Sequence, residues 1–190
     1  HDAARKAGGE FLLRIEDIDA TRCRPEYEQE IFTDLAWLGL TWDKNVRRQS
    51  DHLPDYAAAL DRLRTMGVLY RCFLTPKEIA ELSLSPSHGA GEGPDGVVYR
   101  GPAQPVSADE EEMRIARGDS YAWRLSMRYS QDLLGEDFAR LVFVEQRNGS
   151  DEEHIVAAHP ESLGDVILGR KDTPASYHIA VVHDDALQRV

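Results

Sequence analysis

Apolar residues recur along this chain at two periods, and glycines and prolines divide the runs. Phe11, Leu12, Leu13 and Ile15 crowd residues 10–15, the pattern of a short strand buried on both faces. A helical turn over residues 2–8 stops at Gly8-Gly9 before it. Pro25 suits a first helical position, and from there Tyr27, Ile31, Leu35 and Leu38 fall at helical spacing. Phe32 and Trp37 widen that stripe, and Gly39 ends it. A second helical stripe runs through Leu53, Tyr56, Ala57, Leu60, Leu63 and Met66 to Gly67. Val68–Phe73 then reads as a strand. Helix, strand and helix in this order predict part of a parallel α/β sheet.

Shorter signals follow. Thr75-Pro76-Lys77-Glu78 and Ser107-Ala108-Asp109-Glu110 are capping boxes, opening helices to about Leu82 and Arg117. Residues 83–97 are rich in Ser, Pro and Gly and read as a flexible loop. Its glycines do not follow a strand and open a helix, so a phosphate cradle is not expected there. Strands are expected over 121–127, 140–146 and 165–168, with a polar turn at 148–153. An apolar segment, Tyr177–Val182, ends in His183-Asp184-Asp185. The expected division is an α/β part over 1–73, a small, partly β insertion over 74–163, and a return over 164–190.

The chain has 190 residues, 42% hydrophobic and 29% charged, the composition of a globular protein. Its net charge of −12 argues against a general polyanion binder. No apolar run reaches the ~18 residues of a membrane span, and no secretion signal is visible. Two cysteines, Cys23 and Cys72, cannot form a disulfide framework, so a reducing cytoplasm is expected. Because His1 leads straight into Ala3–Ala7, which reads as mid-helix, the chain is expected to be a fragment.

The candidate chemistry lies at the end of the first strand. Arg14, Glu16, Asp17, Asp19 and Arg22 crowd residues 14–22, where open α/β sheets bind ligands. Such an acidic cluster needs cationic partners: its own arginines, a ligand amine or a metal. A structural Arg–carboxylate network and a ligand site remain equally open on these grounds. Seven histidines form no metal-ligand pair at helical spacing, and neither a nucleophile elbow nor a Walker loop is present.

Arg14-Ile15-Glu16-Asp17-Ile18-Asp19-Ala20-Thr21-Arg22 resembles the Arg-Ile-Glu-Asp-x-Asp-x-x-Arg stretch of the glutamyl-tRNA synthetase family. Leu38-Gly39-Leu40-Thr41-Trp42-Asp43, Arg48-Gln49-Ser50, Leu69-Tyr70-Arg71-Cys72-Phe73 and Tyr177–Asp185 resemble further family segments, in the same order and at matching spacing. Asp165–Leu168 and Arg170-Lys171-Asp172 are closer to the short branch that glutamylates queuosine in tRNA(Asp). The resemblance implies a Rossmann-like class I catalytic domain in which 74–163 is an acceptor-type subdomain. It implies a monomeric ligase that activates L-glutamate with ATP and Mg²⁺ and passes the glutamyl group to tRNA. Two rival readings are a truncated ordinary glutamyl-tRNA synthetase and a non-catalytic tRNA- or amino-acid-binding paralogue.

By the same resemblance, Glu16 holds the substrate α-ammonium and Tyr177 lines the amino-acid pocket. Asp17 and Asp19 are expected to shape the strand end and pair with Arg14 or Arg22. Asp184-Asp185 is expected to organise the loop after it. Both ATP signature motifs fall outside the chain, so no catalytic residue is assigned. The family's zinc ligands are reduced to Cys72 and Tyr99, because Leu74 and Ala103 stand where thiolates would be, so zinc is not expected. Arg189 occupies a turn position where the family commonly has glycine.

Overall fold

A computed structural model describes residues 1–83, 92–93, 96–102, 106–146, 152–170 and 175–190. In chain order, the first elements are α1 (Asp2–Ala7), β1 (Arg14–Ile15), α2 (Pro25–Trp37), β2 (Arg47–Arg48) and α3 (Leu53–Thr65). Next come β3 (Leu69–Cys72), α4 (Pro76–Ser83), β4 (Glu92–Gly93), β5 (Gly96–Val97), α5 (Ala108–Arg117) and β6 (Ala122–Leu125). The last are α6 (Met127–Leu134), β7 (Val142–Gln146), β8 (Glu153–Ala157), β9 (Val166–Arg170) and α7 (Tyr177–Gln188). Two compact units result: residues 1–59 with 173–190, and residues 60–172.

In the first unit β1 and β2 run parallel, with Arg14 opposite Arg47 and Ile15 opposite Arg48. The strand expected over 10–15 is shorter, and only Ile15 of its apolar residues is fully buried. Phe11 is tied to a loop instead: its N–H donates to the Asp43 carboxylate at 2.9 Å and its carbonyl accepts from Asp43 N–H at 2.8 Å. The apolar stripe of α2 also departs from expectation, for the helix has no buried residue and Trp37 is 83% exposed. Tyr56 is fully buried in α3. The Tyr177–Val182 segment is the start of a helix, α7, which buries Ile179, Ala180 and Asp184 at helical spacing. Arg189 follows in the left-handed conformation, φ 60° and ψ 47°.

In the second unit β3, β6 and β9 form an antiparallel sheet with β6 central, and a bulge interrupts β6 between Trp123 and Arg124. The first capping box forms in full, and the second keeps only its N-cap bond. Thr75 Oγ1 accepts from Glu78 N–H, and the Glu78 carboxylate accepts in return from Thr75 N–H. Ser107 Oγ accepts from Glu110 N–H, while the Glu110 side chain turns to Arg114. β4 and β5 pair inside the stretch expected to be a loop, and most of the rest of that loop lies outside the described residues. The sequence pattern missed α6, whose N-cap is Ser126: its hydroxyl accepts from Tyr129 N–H inside the segment read as strand. It also missed β8, which pairs with β7 in a two-stranded ribbon. Most of the polar turn expected between them is outside the described residues. Val68, Leu69, Cys72, Ile79, Val98, Phe138 and Leu168 are buried here. Among the described residues, no helix is long and apolar enough to cross a membrane.

Candidate functional site

The charge cluster at the end of β1 sorts itself by side-chain length. Glu16 reaches back to Arg14, whose Nε and NH2 both donate to Glu16 Oε1 at 3.1 Å. Arg14 NH1 donates to Asp185 Oδ1 at 2.7 Å and to Gln188 Oε1 at 3.0 Å, both on α7. Burial opposes the Arg14 charge, but the bonds to Asp185 and Glu16 outweigh it and raise the guanidinium pKa.

The expected pairing of Asp17 and Asp19 with Arg14 or Arg22 is not what the structure has. Asp17 accepts from Ser50 twice, from N–H at 2.9 Å and from Oγ at 2.7 Å, with Arg48 Nε 3.8 Å away. Asp19 closes a turn, accepting from Thr21 Oγ1 at 2.6 Å and from Thr21 N–H at 3.1 Å. The Thr21 hydroxyl, the nearby N–H groups and the Arg22 charge hold the Asp19 carboxyl below the usual range. A short aspartate side chain meets backbone and hydroxyl donors before it can reach a distant guanidinium. Arg22 acts on Asp19 through its charge and its backbone N–H. Arg48 instead pairs with Glu28 of α2.

Asp184 does something the sequence did not suggest. It is fully buried and accepts from Arg47 Nε at 2.8 Å, Gln49 Nε2 at 3.3 Å and Tyr56 OH at 2.9 Å. The side chains of Asp184 and Asp185 each accept from an arginine of the β1–β2 pair, and the Asp185 carbonyl accepts from Val190 N–H just after α7. Only the adjacency of two acids after an apolar run hinted at this, and their partners lie 128 to 171 residues away.

A cavity of about 700 Å³ in this unit is lined by Arg14, Glu16, Asp17, Arg22 and Arg48, with Tyr27 and Ile31 of α2 as apolar wall. Its size suits a small ligand. Glu16 Oε2 has no hydrogen-bond partner among the described residues, so one acceptor of the acid remains for a ligand. Asp19 and Tyr177 are not among the described lining residues. Tyr177 opens α7, is 54% exposed and sets its ring edge against His178.

The second unit has its own cavity, of about 330 Å³, where arginines meet Tyr70 and Trp123. Arg71 lies over the Trp123 ring at 4.4 Å and pairs with Glu111 at 2.9 Å. Asp165 is buried beside it and accepts from Tyr70 OH at 2.7 Å and Met127 N–H at 2.9 Å; burial raises its pKa. Cys72 is buried at the end of β3 and meets the Tyr99 hydroxyl, whose pKa is raised by burial and by that contact. One thiol with a phenol and apolar Leu74 does not fit tetrahedral zinc, which needs four donors. Ala103 lies outside the described residues. Among the described residues, no three His, Cys, Asp or Glu side chains gather to hold a metal.

Several known proteins are similar to this chain. A glutamyl-Q tRNA(Asp) synthetase from Rhodobacter capsulatus is 40% identical over the whole chain, which spans 66% of that protein. A second, from Nitratidesulfovibrio vulgaris, is 36% identical over 96% of the chain and 54% of its own length. A glutamate–tRNA ligase from a Ruegeria species is 38% identical over 96% of the chain and 37% of its own length. The chain therefore spans between about a third and two thirds of these relatives. The crystal structure of a glutamate tRNA ligase from Elizabethkingia meningosepticum, in complex with its amino acid, matches with a TM-score of 0.68. That match is 20% identical and covers 99% of this chain and 37% of the other, so it speaks for the fold. The family profile of the class I tRNA synthetase (E and Q) catalytic domain matches residues 1–190, and the chain belongs to that family.

Proposed function

We propose that the protein containing this chain activates L-glutamate with ATP and Mg²⁺ and transfers the glutamyl group to queuosine of tRNA(Asp). The observation that carries this reading is Glu16, an acid at the end of β1 with one oxygen held by Arg14 and the other left for a ligand. In this reading Glu16 receives the substrate α-ammonium in a charge-assisted bond. Arg14, Asp17, Asp19 and Arg22 shape the strand end around it; Tyr177, at the start of α7 and outside the described cavity lining, is assigned to the amino-acid pocket by resemblance alone. An α-carboxylate oxygen of glutamate bonds to the α-phosphorus of ATP as the bond to the pyrophosphate oxygen breaks. Glutamyl-adenylate forms and pyrophosphate leaves; the glutamyl group then passes to the tRNA and AMP leaves. The chain's contribution is binding and orientation. Residues 74–163 are proposed as the acceptor-type insertion, and the protein as a cytoplasmic monomer.

The queuosine branch is favoured over ordinary tRNA(Glu) charging by the two glutamyl-Q relatives, at 40% and 36% identity. The 38% identical glutamate–tRNA ligase keeps the second reading open to test. Glutamate-dependent ATP–pyrophosphate exchange on the full-length protein, with and without tRNA, separates them. Exchange without tRNA is expected. Exchange only with tRNA(Glu) would support the ordinary ligase, and none under either condition would sink both. Glu16→Gln is expected to abolish measurable glutamate binding by equilibrium titration, and unchanged affinity would remove Glu16 from the site.

A further inference from the structure

We infer that Asp185 is a positioning residue for the amino-acid site: it anchors Arg14, so that Arg14 fixes Glu16 with one carboxylate oxygen left for the substrate ammonium. The inference rests on the assignment of Glu16 above and extends it to a residue of α7.

The geometry is a relay through one planar group. The Nε and NH2 hydrogens of Arg14 converge on a single oxygen, Glu16 Oε1, at 3.1 Å each. The third nitrogen, NH1, turns to α7, where Asp185 Oδ1 accepts at 2.7 Å and Gln188 Oε1 at 3.0 Å. A guanidinium is rigid and planar, so holding NH1 also fixes the direction of the Nε and NH2 edge. Asp185 is the shorter of the two NH1 contacts and carries the charge. Glu16 otherwise hangs on rotatable bonds just after a two-residue strand, and ordering such a side chain costs conformational entropy.

Charge makes the same point independently. One arginine shared between two carboxylates leaves a net charge of about −1 on the trio. That surplus attracts an ammonium. Without Asp185, Arg14 and Glu16 would neutralise each other and the pull on a cation would weaken. Asp185 thus keeps Glu16 both in place and electrostatically available, without touching the ligand itself.

The test compares L-glutamate with glutarate, the same skeleton without the ammonium, by equilibrium binding to the full-length protein. Asp185→Asn is expected to weaken glutamate by about tenfold while leaving glutarate unchanged. Asp185→Glu, which keeps the charge, should recover part of the loss. A merely structural role would weaken both ligands alike, and that outcome overturns the inference. So does a normal glutamate affinity in Asp185→Asn when Glu16→Gln has lost it. A normal glutamate affinity in Glu16→Gln would instead overturn the site assignment beneath it. Should Asp185→Asn melt early, Gln188→Ala probes the same nitrogen; the inference then requires a smaller, still glutamate-selective loss, and no selectivity refutes it.

Discussion

Arg14 and Arg47 are register partners in the parallel β1–β2 pair, and they bond to consecutive carboxylates of α7, Asp185 and Asp184. Neighbouring residues on a helix point about 100° apart, so one acid turns inward and the other toward Arg14. Asp184 is fully buried, whereas the Asp185 side chain is 41% exposed. One helix turn therefore binds both strands, with the inner contact serving stability and the outer one the proposed site.

Asp184→Ala should be the most damaging single change in this unit. It would leave the buried Gln49 Nε2 and Tyr56 hydroxyl without their acceptor and Arg47 with only its 3.3 Å bond to Asp55. Breaking a buried pair in this way costs about 3–5 kcal/mol. Urea unfolding should show that loss, and Asp184→Asn, which keeps an acceptor, should lose less.

Tyr56 gives a pH signature. Burial and the bond to Asp184 push its phenol up to about 12. An unfolded tyrosine titrates near 10, so the folded state keeps the proton longer. Its contribution is complete below about pH 10 and is lost as pH rises toward 12, with a slope of roughly 1.4 kcal/mol per unit. The stability gap between the natural chain and Tyr56→Phe should therefore close over that window. A gap constant to pH 12 would contradict the assignment.

Arg189 sits in the left-handed region directly after α7, at φ 60°. A side chain there costs about 1–2 kcal/mol that glycine avoids. Arg189→Gly should raise the melting temperature by a few degrees and leave glutamate binding untouched. A lower melting temperature would mean that the Arg189 side chain contributes more than its backbone costs.

The sequence announced elements wherever a local signal marked both ends. Pro25 and Gly39 bracket α2, Gly67 follows α3, and Thr75 with Glu78 opens α4 as expected. It misled where an apolar run lacked such marks. Tyr177–Val182 could be read only as an apolar segment: it has no capping hydrogen bond from Ser176, and its β-branched residues obscured the helix. Phe11–Leu13 imitated a strand that the Asp43 loop cuts short. Glu16 stood out as part of the charge cluster at a strand end, and its particular role came through resemblance. The Asp184 cluster could not be read at all, since Arg47, Gln49 and Tyr56 reach it from more than a hundred residues away.

The β7–β8 ribbon carries a practical consequence for anyone concentrating this protein. Val142, Phe143 and Val144 are each more than half exposed, and Ile155 is 77% exposed. Among the described residues the ribbon has only two strands, so each presents a free hydrogen-bonding edge beside apolar side chains. Such edges template intermolecular pairing. Arg140 and Glu145 flank the apolar run as charged gatekeepers. Replacing either with a neutral residue would make this ribbon the first place from which aggregates grow.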